Sequence, residues 1–183
     1  RTASAISQMP WLRSQTPEKL EEVKGDKARV ALIGCGSRGQ YHIHNLKLIP
    51  HAEVVALCDD YEPNLKAAAA LCPNARTYSD YQRLLEDKNI DGVIIATPLN
   101  WHAPMVLDAL AAGKHTFCEK AMARTMSECR AIYEAYKRTD KALYFCMQRM
   151  YDEKYIKGME RIHSGLIGDI VGMRCHWFRN ADW

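Results

Sequence analysis

The feature that most constrains the fold of this chain is a glycine-rich turn between an apolar run and an amphipathic one. Gly34, Gly36 and Gly39 complete the pattern G-x-G-x-x-G. Residues 29–33 before the turn are Arg29 and four apolar residues, a segment of strand length that predicts a buried strand. Residues 40–49 after it place apolar side chains near helical spacing, which predicts a helix. The turn therefore joins a strand to a helix, the context in which such glycines indicate a ligand site.

A second apolar run and an acidic residue complete this arrangement. Residues 54–58 predict another strand, and Asp59 follows it, about 20 residues past the third glycine. Strand, glycine turn, helix, strand and acid at this offset form the fingerprint of a dinucleotide-binding site. In that fingerprint Gly34 permits the tight turn, Gly36 lets the backbone approach a pyrophosphate, and Gly39 lets the helix pack on the strand. The alternative is a glycine turn in an α/β domain without a cofactor.

The start of the predicted helix and the acid together indicate which dinucleotide would bind. Ser37 and Arg38 offer backbone N–H groups and the positive end of a helix dipole to phosphate. Asp59, with Asp60 beside it, is suited to accept ribose hydroxyls and to repel a 2′-phosphate. We therefore expect NAD rather than NADP, although Arg38 in the turn would favour the phosphate of NADP.

Strands and helices are predicted to alternate from residue 29 to residue 149. Further helices are predicted over 62–71, 80–86, 103–112 and 127–138, and further strands over 76–78, 91–96, 116–118 and 142–146. This alternation predicts an α/β protein with a Rossmann-type, doubly wound parallel sheet and helices on both faces. Ligands bind such sheets beyond the carboxyl ends of the strands. We therefore expect one crevice to be lined by Gly34, Asp59, Thr97, Glu119 and Gln148.

The two ends of the chain follow different patterns. Residues 1–28 are polar and predict a flexible arm or the remnant of a twin-arginine export signal, which leaves both cytoplasmic and periplasmic localisation open. After residue 150 the pattern predicts a helix over 152–164 and a strand over 170–178. A lone helix and strand cannot form an independent core. We interpret residues 150–183 as the beginning of a second α/β domain that is truncated in this chain.

Composition argues against several other classes of protein. Among 183 residues the charges are well mixed, the net charge is +3, and no basic run with interleaved aromatic residues suggests nucleic-acid binding. No apolar stretch approaches the roughly 20 residues that a membrane helix needs. The seven cysteines lack metal-ligand spacing, so we expect buried thiols and neither a structural metal nor a disulfide framework.

Short motifs follow the predicted strands in a fixed order. They are Gly34–Gly36, Cys58–Asp59, Tyr78–Tyr81, Thr97–His102, Ala112–His115 and Cys118–Ala121. Together they resemble the Gfo/Idh/MocA oxidoreductase family, over residues 29–183. The resemblance implies a Rossmann domain followed by an α/β domain whose open sheet usually mediates homo-oligomers, NAD or NADP as cofactor, and a small carbohydrate-like substrate. Residues 99–102 also resemble the NAD-dependent glycosidases of the same superfamily.

The resemblance implies a catalytic role for Lys120. In the family, the lysine of a Glu-Lys-Pro motif reaches the reacting carbon near the nicotinamide, where an ammonium can bind the substrate oxygen and relay its proton. The alternative is a surface lysine in a helix-capping loop. Ala121 replaces the proline, and we expect a trans bond before it because a non-proline cis bond costs about 3 kcal/mol. The Asp/His pair that assists proton transfer in the family would lie beyond Trp183.

The resemblance also implies further cofactor contacts. It places His102 at the cofactor as a binding residue, for which a hydrogen-bonded scaffold role is the alternative. It implies contacts from Leu99 and Asn100 through backbone or amide groups, and it places Gln148 against the nicotinamide. Contact with substrate and packing at an interface both stay open for Arg149, Tyr151, Trp177, Arg179 and Trp183.

The first functional hypothesis is an NAD(P)-dependent oxidoreductase that transfers a hydride between a nicotinamide cofactor and a sugar, polyol or related hydroxy compound. The second is an NAD-dependent glycosidase that works by transient oxidation and elimination. Relatives with that activity commonly lack the lysine, so Glu119 and Lys120 favour simple redox chemistry. The third is a nucleotide-sensing domain without catalysis. We expect this chain alone to be inactive, because part of the active-site wall would come from the second domain.

Overall fold

The computed structural model describes residues 26–176 and residue 178 of the 183-residue chain. Most of the predicted N-terminal arm lies outside the described residues, as do Trp177, Arg179 and Trp183. The described residues divide into two compact units, the first ending at Met147 and the second beginning at Gln148. The assignment of residues 150–183 to a truncated second domain stays a prediction.

The first unit alternates strands and helices along its whole described length. Its strands are β1 Ala28–Ile33, β2 Ala52–Cys58, β3 Arg76–Tyr78, β4 Gly92–Ile95, β5 His115–Cys118 and β6 Leu143–Phe145. Its α-helices are α1 Ser37–Leu46, α2 Glu62–Leu71, α3 Tyr81–Leu85, α4 His102–Ala111 and α5 Met126–Tyr136. Each of these elements was predicted from the sequence, with its ends displaced by at most three residues.

The six strands form one sheet in the order β3-β2-β1-β4-β5-β6, and every neighbouring pair is parallel. This is the strand order of a Rossmann-type, doubly wound sheet, so the predicted fold class is confirmed. The chain runs outward from β1 in one direction through β2 and β3, and then returns to β4 on the other side of β1. Such a reversal opens a crevice beyond the carboxyl ends of β1 and β4, where ligands of these folds bind.

Alternate residues of the central strands enter two separate apolar layers. Leu32, Leu57 and Ile94 pack with Ile43 of α1 and Ala68 of α2 on one face of the sheet. The other face packs against α3, α4 and α5 through a second cluster, whose strand members are Ala31, Ile33, Ala56, Cys58, Val93, Ile95 and Cys118. Because both faces are covered, both sets of side chains must be apolar, which is why these strands read as continuous hydrophobic runs.

The second unit contains a 3₁₀ turn over Gln148–Tyr151 and the helix α6 over Glu153–His163. Asp152 caps α6, its side chain accepting the N–H of Lys154 at 2.9 Å. The helix was predicted, whereas the prediction of a strand over 170–178 is wrong: residues 170–176 and 178 are exposed and have no regular structure. A strand requires backbone partners on a neighbouring strand, and the described residues of this unit supply none.

Candidate functional site

A cavity of about 580 Å³ opens beyond the carboxyl ends of four adjacent strands. The turn after β1 contributes Gly34, Gly36, Ser37 and Arg38 to its wall. The other strand ends contribute Asp59, Asp60 and Tyr61 after β2, Ser79, Asp80 and Tyr81 after β3, and Ala96, Thr97 and Pro98 after β4. This is the position predicted for the crevice, and six of the predicted site residues line it: Gly34, Gly36, Ser37, Arg38, Asp59 and Thr97.

The three glycines of the turn differ in what the protein itself demands of them. Gly34 has a φ of +94°, and a Cβ there would lie 2.7 Å from the backbone carbonyl of Ala96. A Cβ at Gly39 would overlap the carbonyl oxygen of Gly34. A Cβ at Gly36 would meet nothing nearer than Nδ2 of Asn64, at 3.8 Å. Packing therefore requires glycine at positions 34 and 39. At Gly36, which lines the cavity, packing would leave room for a Cβ.

Helix α1 begins at this cavity without a side-chain cap. Gly36 is the N-cap residue, and neither a capping side chain nor an acidic residue occupies the first turn of the helix. The first N–H groups of a helix have no partner within the helix, and the dipole gives this end a partial positive charge. The cavity wall at Ser37 and Arg38 therefore suits a phosphate group.

The carboxylate of Asp59 is held against the glycine turn by backbone hydrogen bonds. Its Oδ2 accepts the N–H of Cys35 at 2.6 Å, and its Oδ1 accepts the N–H of Tyr61 at 2.9 Å. Each carboxylate oxygen has two lone pairs, so the group can still accept hydroxyl donors from the cavity. Asp60 and Asp80 also line the wall, which makes this end of the cavity acidic.

Arg38 is paired with an acid at the far side of the turn from Asp59. Its Nε lies 2.5 Å from Oε1 of Glu119, and its guanidinium lies 5.0 Å from the ring centroid of Tyr41. Since the Arg38 charge already has a carboxylate partner, it offers less attraction to the additional phosphate of NADP than an unpaired arginine would.

Glu119 does not line the cavity, although it was predicted to do so. The side chain is buried and binds Arg38 and His42, and Nε2 of His42 lies 2.7 Å from Oε1. Burial by itself raises the pKa of Glu119, but the hydrogen bonds from Arg38 and His42 outweigh it and leave the pKa below its usual value. Glu119 is thus an ionised anchor behind the glycine turn.

His102 links two of the strand-end loops. The ring is buried, with Nδ1 2.7 Å from the carbonyl oxygen of Ala121 and Nε2 3.0 Å from that of Thr97. These contacts fit the scaffold role that the sequence left open as an alternative to cofactor binding. Leu99 and Asn100 lie in a 3₁₀ turn before α4, are exposed, and do not line the cavity.

Lys120 is exposed and is the second residue after β5, outside the wall of the cavity. Its backbone N–H donates to Oε2 of Glu119 at 3.3 Å. The prediction of a trans bond before Ala121 is wrong, because the Lys120–Ala121 peptide bond is cis. Contacts on both sides hold this backbone: Glu119 accepts from Lys120, and the carbonyl of Ala121 meets His102. Propensity alone did not capture those contacts.

Several cavity residues were not identified as ligand residues from the sequence. Asn64 of α2 faces the glycine turn, and Trp101 and Met105 line the wall beside Thr97. Tyr81 also lines it, and its hydroxyl donates to Oδ2 of Asp108 at 2.8 Å. Burial and this hydrogen bond raise the pKa of Tyr81 to about 12. The sequence could have indicated Asn64 through its position in the first turn of α2, the helix that follows β2 and Asp59.

The thiols are only partly as predicted. Cys35, Cys58, Cys118 and Cys146 are buried, but Cys175 is exposed, which corrects the prediction that all seven are buried; two more are partly buried, Cys72 and Cys129. Cys58 lines the cavity, and burial raises its pKa to about 12, so it is a neutral thiol rather than a nucleophile.

The described residues contain neither a metal site nor a membrane-spanning helix. Within residues 26–176 and 178, no group of three or more histidine, cysteine or acidic side chains is placed to hold a metal ion. In the same part of the chain, no helix has the length and apolar character required to span a membrane.

The contact of Gln148 with the nicotinamide stays a prediction, because that residue belongs to the second unit.

The fold and the cavity together define a dinucleotide-binding α/β protein of the Rossmann type. A model of the Gfo/Idh/MocA oxidoreductase family, with its NAD-binding Rossmann fold, matches residues 28–146. The chain belongs to this family, as its motifs predicted, and the matched segment is the family's NAD-binding fold.

Curated relatives include proteins of two kinds. The alpha-N-acetylgalactosaminidase of Shewanella oneidensis is 30% identical over an alignment of 169 residues, and the match covers 87% of this chain and 37% of that protein. The myo-inositol 2-dehydrogenase of Thermotoga maritima is 31% identical over 140 residues, 76% of this chain and 42% of that protein. This chain therefore spans well under half the length of the curated relatives that it matches.

A solved structure shows the same fold at a similar level of identity. The myo-inositol dehydrogenase from Lactobacillus casei, in complex with NAD(H) and myo-inositol, has a TM-score of 0.73 and 32% sequence identity to this chain. The match covers 78% of this chain and 43% of the Lactobacillus protein.

Proposed function

We propose that this chain supplies the NAD-binding part of an oxidoreductase that transfers a hydride between the cofactor and a sugar, polyol or related hydroxy compound. The observation that carries the proposal is Gly36. The protein has room for a Cβ there, with Asn64 at 3.8 Å as its nearest neighbour, yet the residue is glycine and lines the cavity. A glycine that packing does not require is explained by a ligand that approaches the backbone closely.

The donor and acceptor groups of the wall fit such a cofactor. The uncapped start of α1 at Ser37 and Arg38 would bind the pyrophosphate. Asp59 would accept the hydroxyls of the adenosine ribose, and its charge, with that of Asp60, would exclude a 2′-phosphate. These groups support NAD as the preferred cofactor.

The chemistry of the hydride belongs to the cofactor, which takes it from the substrate carbon when bound. The protein has to orient the substrate and manage the proton of its hydroxyl group. Lys120 is the residue of this chain that we assign to both roles, because its neutral amine would accept the hydroxyl proton as the carbon is oxidised, and the ammonium so formed would stay hydrogen-bonded to the substrate oxygen. The exposed position of Lys120 leaves its side chain accessible to a small molecule.

Two measurements test the proposal. Calorimetric titration of this chain with NAD should show binding, and the protein expressed from its gene should reduce NAD when supplied with inositols or hexoses. Failure to bind NAD in both forms would contradict the proposal. NAD binding without turnover of any polyol or sugar would instead favour the nucleotide-sensing alternative.

A second candidate is a glycosidase that keeps its NAD. It is favoured by the 30% identity to the alpha-N-acetylgalactosaminidase of Shewanella oneidensis, over 87% of this chain. Such an enzyme oxidises the sugar transiently, eliminates the aglycone and reduces the sugar again, so no NADH accumulates. A nitrophenyl α-N-acetylgalactosaminide separates the two: nitrophenol release without net NADH indicates the glycosidase, and NADH formation from a free polyol indicates the dehydrogenase.

We also propose that the whole protein is a homo-oligomer, assembled through the part of the polypeptide that follows the Rossmann domain. The proposal rests on the resemblance to the family. Light scattering of the protein expressed from its gene tests it, since a monomeric mass would contradict it.

A further inference from the structure

Three ionisable side chains meet behind the glycine turn, and one carboxylate connects them. Nε of Arg38 lies 2.5 Å and Nε2 of His42 lies 2.7 Å from the same oxygen of Glu119, Oε1. The other oxygen, Oε2, accepts the backbone N–H of Lys120 at 3.3 Å. Glu119 therefore joins helix α1, which carries the phosphate-binding end, to the backbone of the residue proposed to act on substrate.

His42 is held in place on this carboxylate by packing. It is 8% exposed, and its ring meets that of Phe117 edge to face, with centroids 5.5 Å apart. Burial lowers the pKa of His42 by more than its hydrogen bond to Glu119 raises it, so the ring is neutral near pH 7 and donates from Nε2. His42 is buried and is absent from the cavity wall, so it is not placed to contact a ligand bound in the cavity.

We propose that His42 is a positioning residue that acts on Lys120 through Glu119. By fixing Oε1, the His42 donor keeps Oε2 turned toward the N–H of Lys120, which holds the backbone from which the lysine side chain extends. Arg38 shares Oε1, but its side chain is 42% exposed and also lines the cavity, where a bound phosphate would compete for it. The buried His42 is the donor to Oε1 that a ligand in the cavity cannot reach. This inference rests on the proposed function.

The inference is tested with matched variants of the protein expressed from its gene, assayed for NAD-dependent turnover. His42→Leu removes the donor, His42→Gln replaces it with an amide donor, and His44→Leu makes the same change at an exposed histidine of the same helix. We expect kcat to fall about tenfold in His42→Leu, the size of effect that loss of one hydrogen bond to a charged group produces. We expect kcat within about threefold of wild type in His42→Gln and His44→Leu, and the KM for NAD within about threefold in all three.

The split between kcat and KM distinguishes positioning from general damage to the fold. Equal losses of kcat in the leucine and glutamine variants, or an unchanged kcat in His42→Leu, would overturn the inference. If His42→Leu does not fold, Glu119→Asp replaces it: the shorter side chain cannot reach both α1 and Lys120, so kcat should fall while NAD affinity persists. An unchanged kcat in Glu119→Asp would overturn the inference. Absence of NAD-linked turnover in the wild type would overturn the proposed function together with it.

Discussion

Oδ2 of Asp59 accepts the backbone N–H of Cys35 at 2.6 Å, which ties the end of β2 to the glycine turn that follows β1. These two loops follow the first two strands of the chain, β1 and β2. The hydrogen bond between them fixes the carboxylate of Asp59 beside the cavity. The carboxylate is therefore both a structural link and a charge at the ligand site. Its charge leads directly to a prediction about cofactor choice.

NAD should bind at least about tenfold more tightly than NADP, because a 2′-phosphate would meet the charges of Asp59 and Asp60. Calorimetric titration of both cofactors measures the ratio. Asp59→Ser should reduce the preference for NAD over NADP, mainly by weakening NAD binding, because the ribose hydroxyls of NAD lose an acceptor. Asp140→Ser, at an aspartate that is 85% exposed in a turn after α5, serves as the control and should leave the ratio unchanged. Equal or tighter binding of NADP by the wild type would show that Asp59 does not contact the ribose.

Gly36→Val should abolish NAD binding while the protein keeps its fold. The Cβ has room in the protein itself, but the side chain would occupy the space where the backbone must meet the pyrophosphate. Circular dichroism and thermal unfolding report the fold, and calorimetry reports binding.

Two other glycines provide the controls for this experiment. Gly39→Val should unfold or strongly destabilise the protein, because its Cβ would overlap the carbonyl oxygen of Gly34. Gly158→Val, in α6 at a position where a Cβ would meet no atom within 4 Å apart from its chain neighbours and its own helix backbone, should bind NAD normally. Normal NAD binding by a folded Gly36→Val variant would show that the phosphate site lies elsewhere.

The fold was readable from the sequence because both faces of the sheet are covered. β4 is apolar throughout and β1 is apolar from Val30 to Ile33, while the glycine turn and Asp59 mark the crossover from β1 to β2. The strand predicted over 170–178 failed for the complementary reason, since an apolar pattern does not form a strand without a neighbouring strand. Local pattern sufficed where the sheet supplied partners.

The site was only partly readable. The sequence predicted which residues follow each strand and therefore lie near the cavity. It did not predict whether a side chain there points into the cavity or into the protein. Glu119 turns inward because Arg38 and His42, far away in sequence, provide its partners. Lys114 of the predicted motif is likewise buried, with Nζ donating to the carbonyls of Asp87 and Ile90 at 2.7 and 2.9 Å. Such contacts depend on tertiary packing, which spacing does not encode.

An ion pair at the other end of the sheet predicts a pH-dependent stability. Asp91 accepts from the side chain of Arg29 at 2.7 and 3.0 Å and from its N–H at 2.8 Å, which ties β1 to the chain before β4. These hydrogen bonds lower the pKa of Asp91 to about 2. A carboxylate with a lowered pKa stabilises the fold fully above its ordinary pKa of 3.8 and loses that contribution as the pH falls toward about 2.

Asp91→Asn should therefore lower the free energy of unfolding near pH 7 by about 1 kcal/mol, a value limited by solvent screening of a pair whose side chains are both 41% exposed. The difference from wild type should shrink as the pH is lowered from 4 toward 2. Urea unfolding at several pH values measures both effects. Asp140→Asn, at an exposed carboxylate that pairs with the neighbouring Lys141, should show no comparable pH-dependent difference. A constant difference at all pH values would mean that the charge of Asp91 is not the cause.

Lys120→Met, in the protein expressed from its gene, should keep the NAD affinity within a few-fold of wild type and lower kcat by a hundredfold or more. The affinity should persist because Lys120 lies outside the cavity that the phosphate and ribose groups would occupy. The loss of turnover follows from the size of positioned acid–base effects, about 10² to 10⁴. Lys154→Met, at an exposed lysine of α6, is the matched control. Calorimetry measures NAD affinity and steady-state kinetics measure turnover. Near-normal turnover by Lys120→Met would contradict the catalytic assignment and leave Lys120 as a surface lysine without a catalytic role.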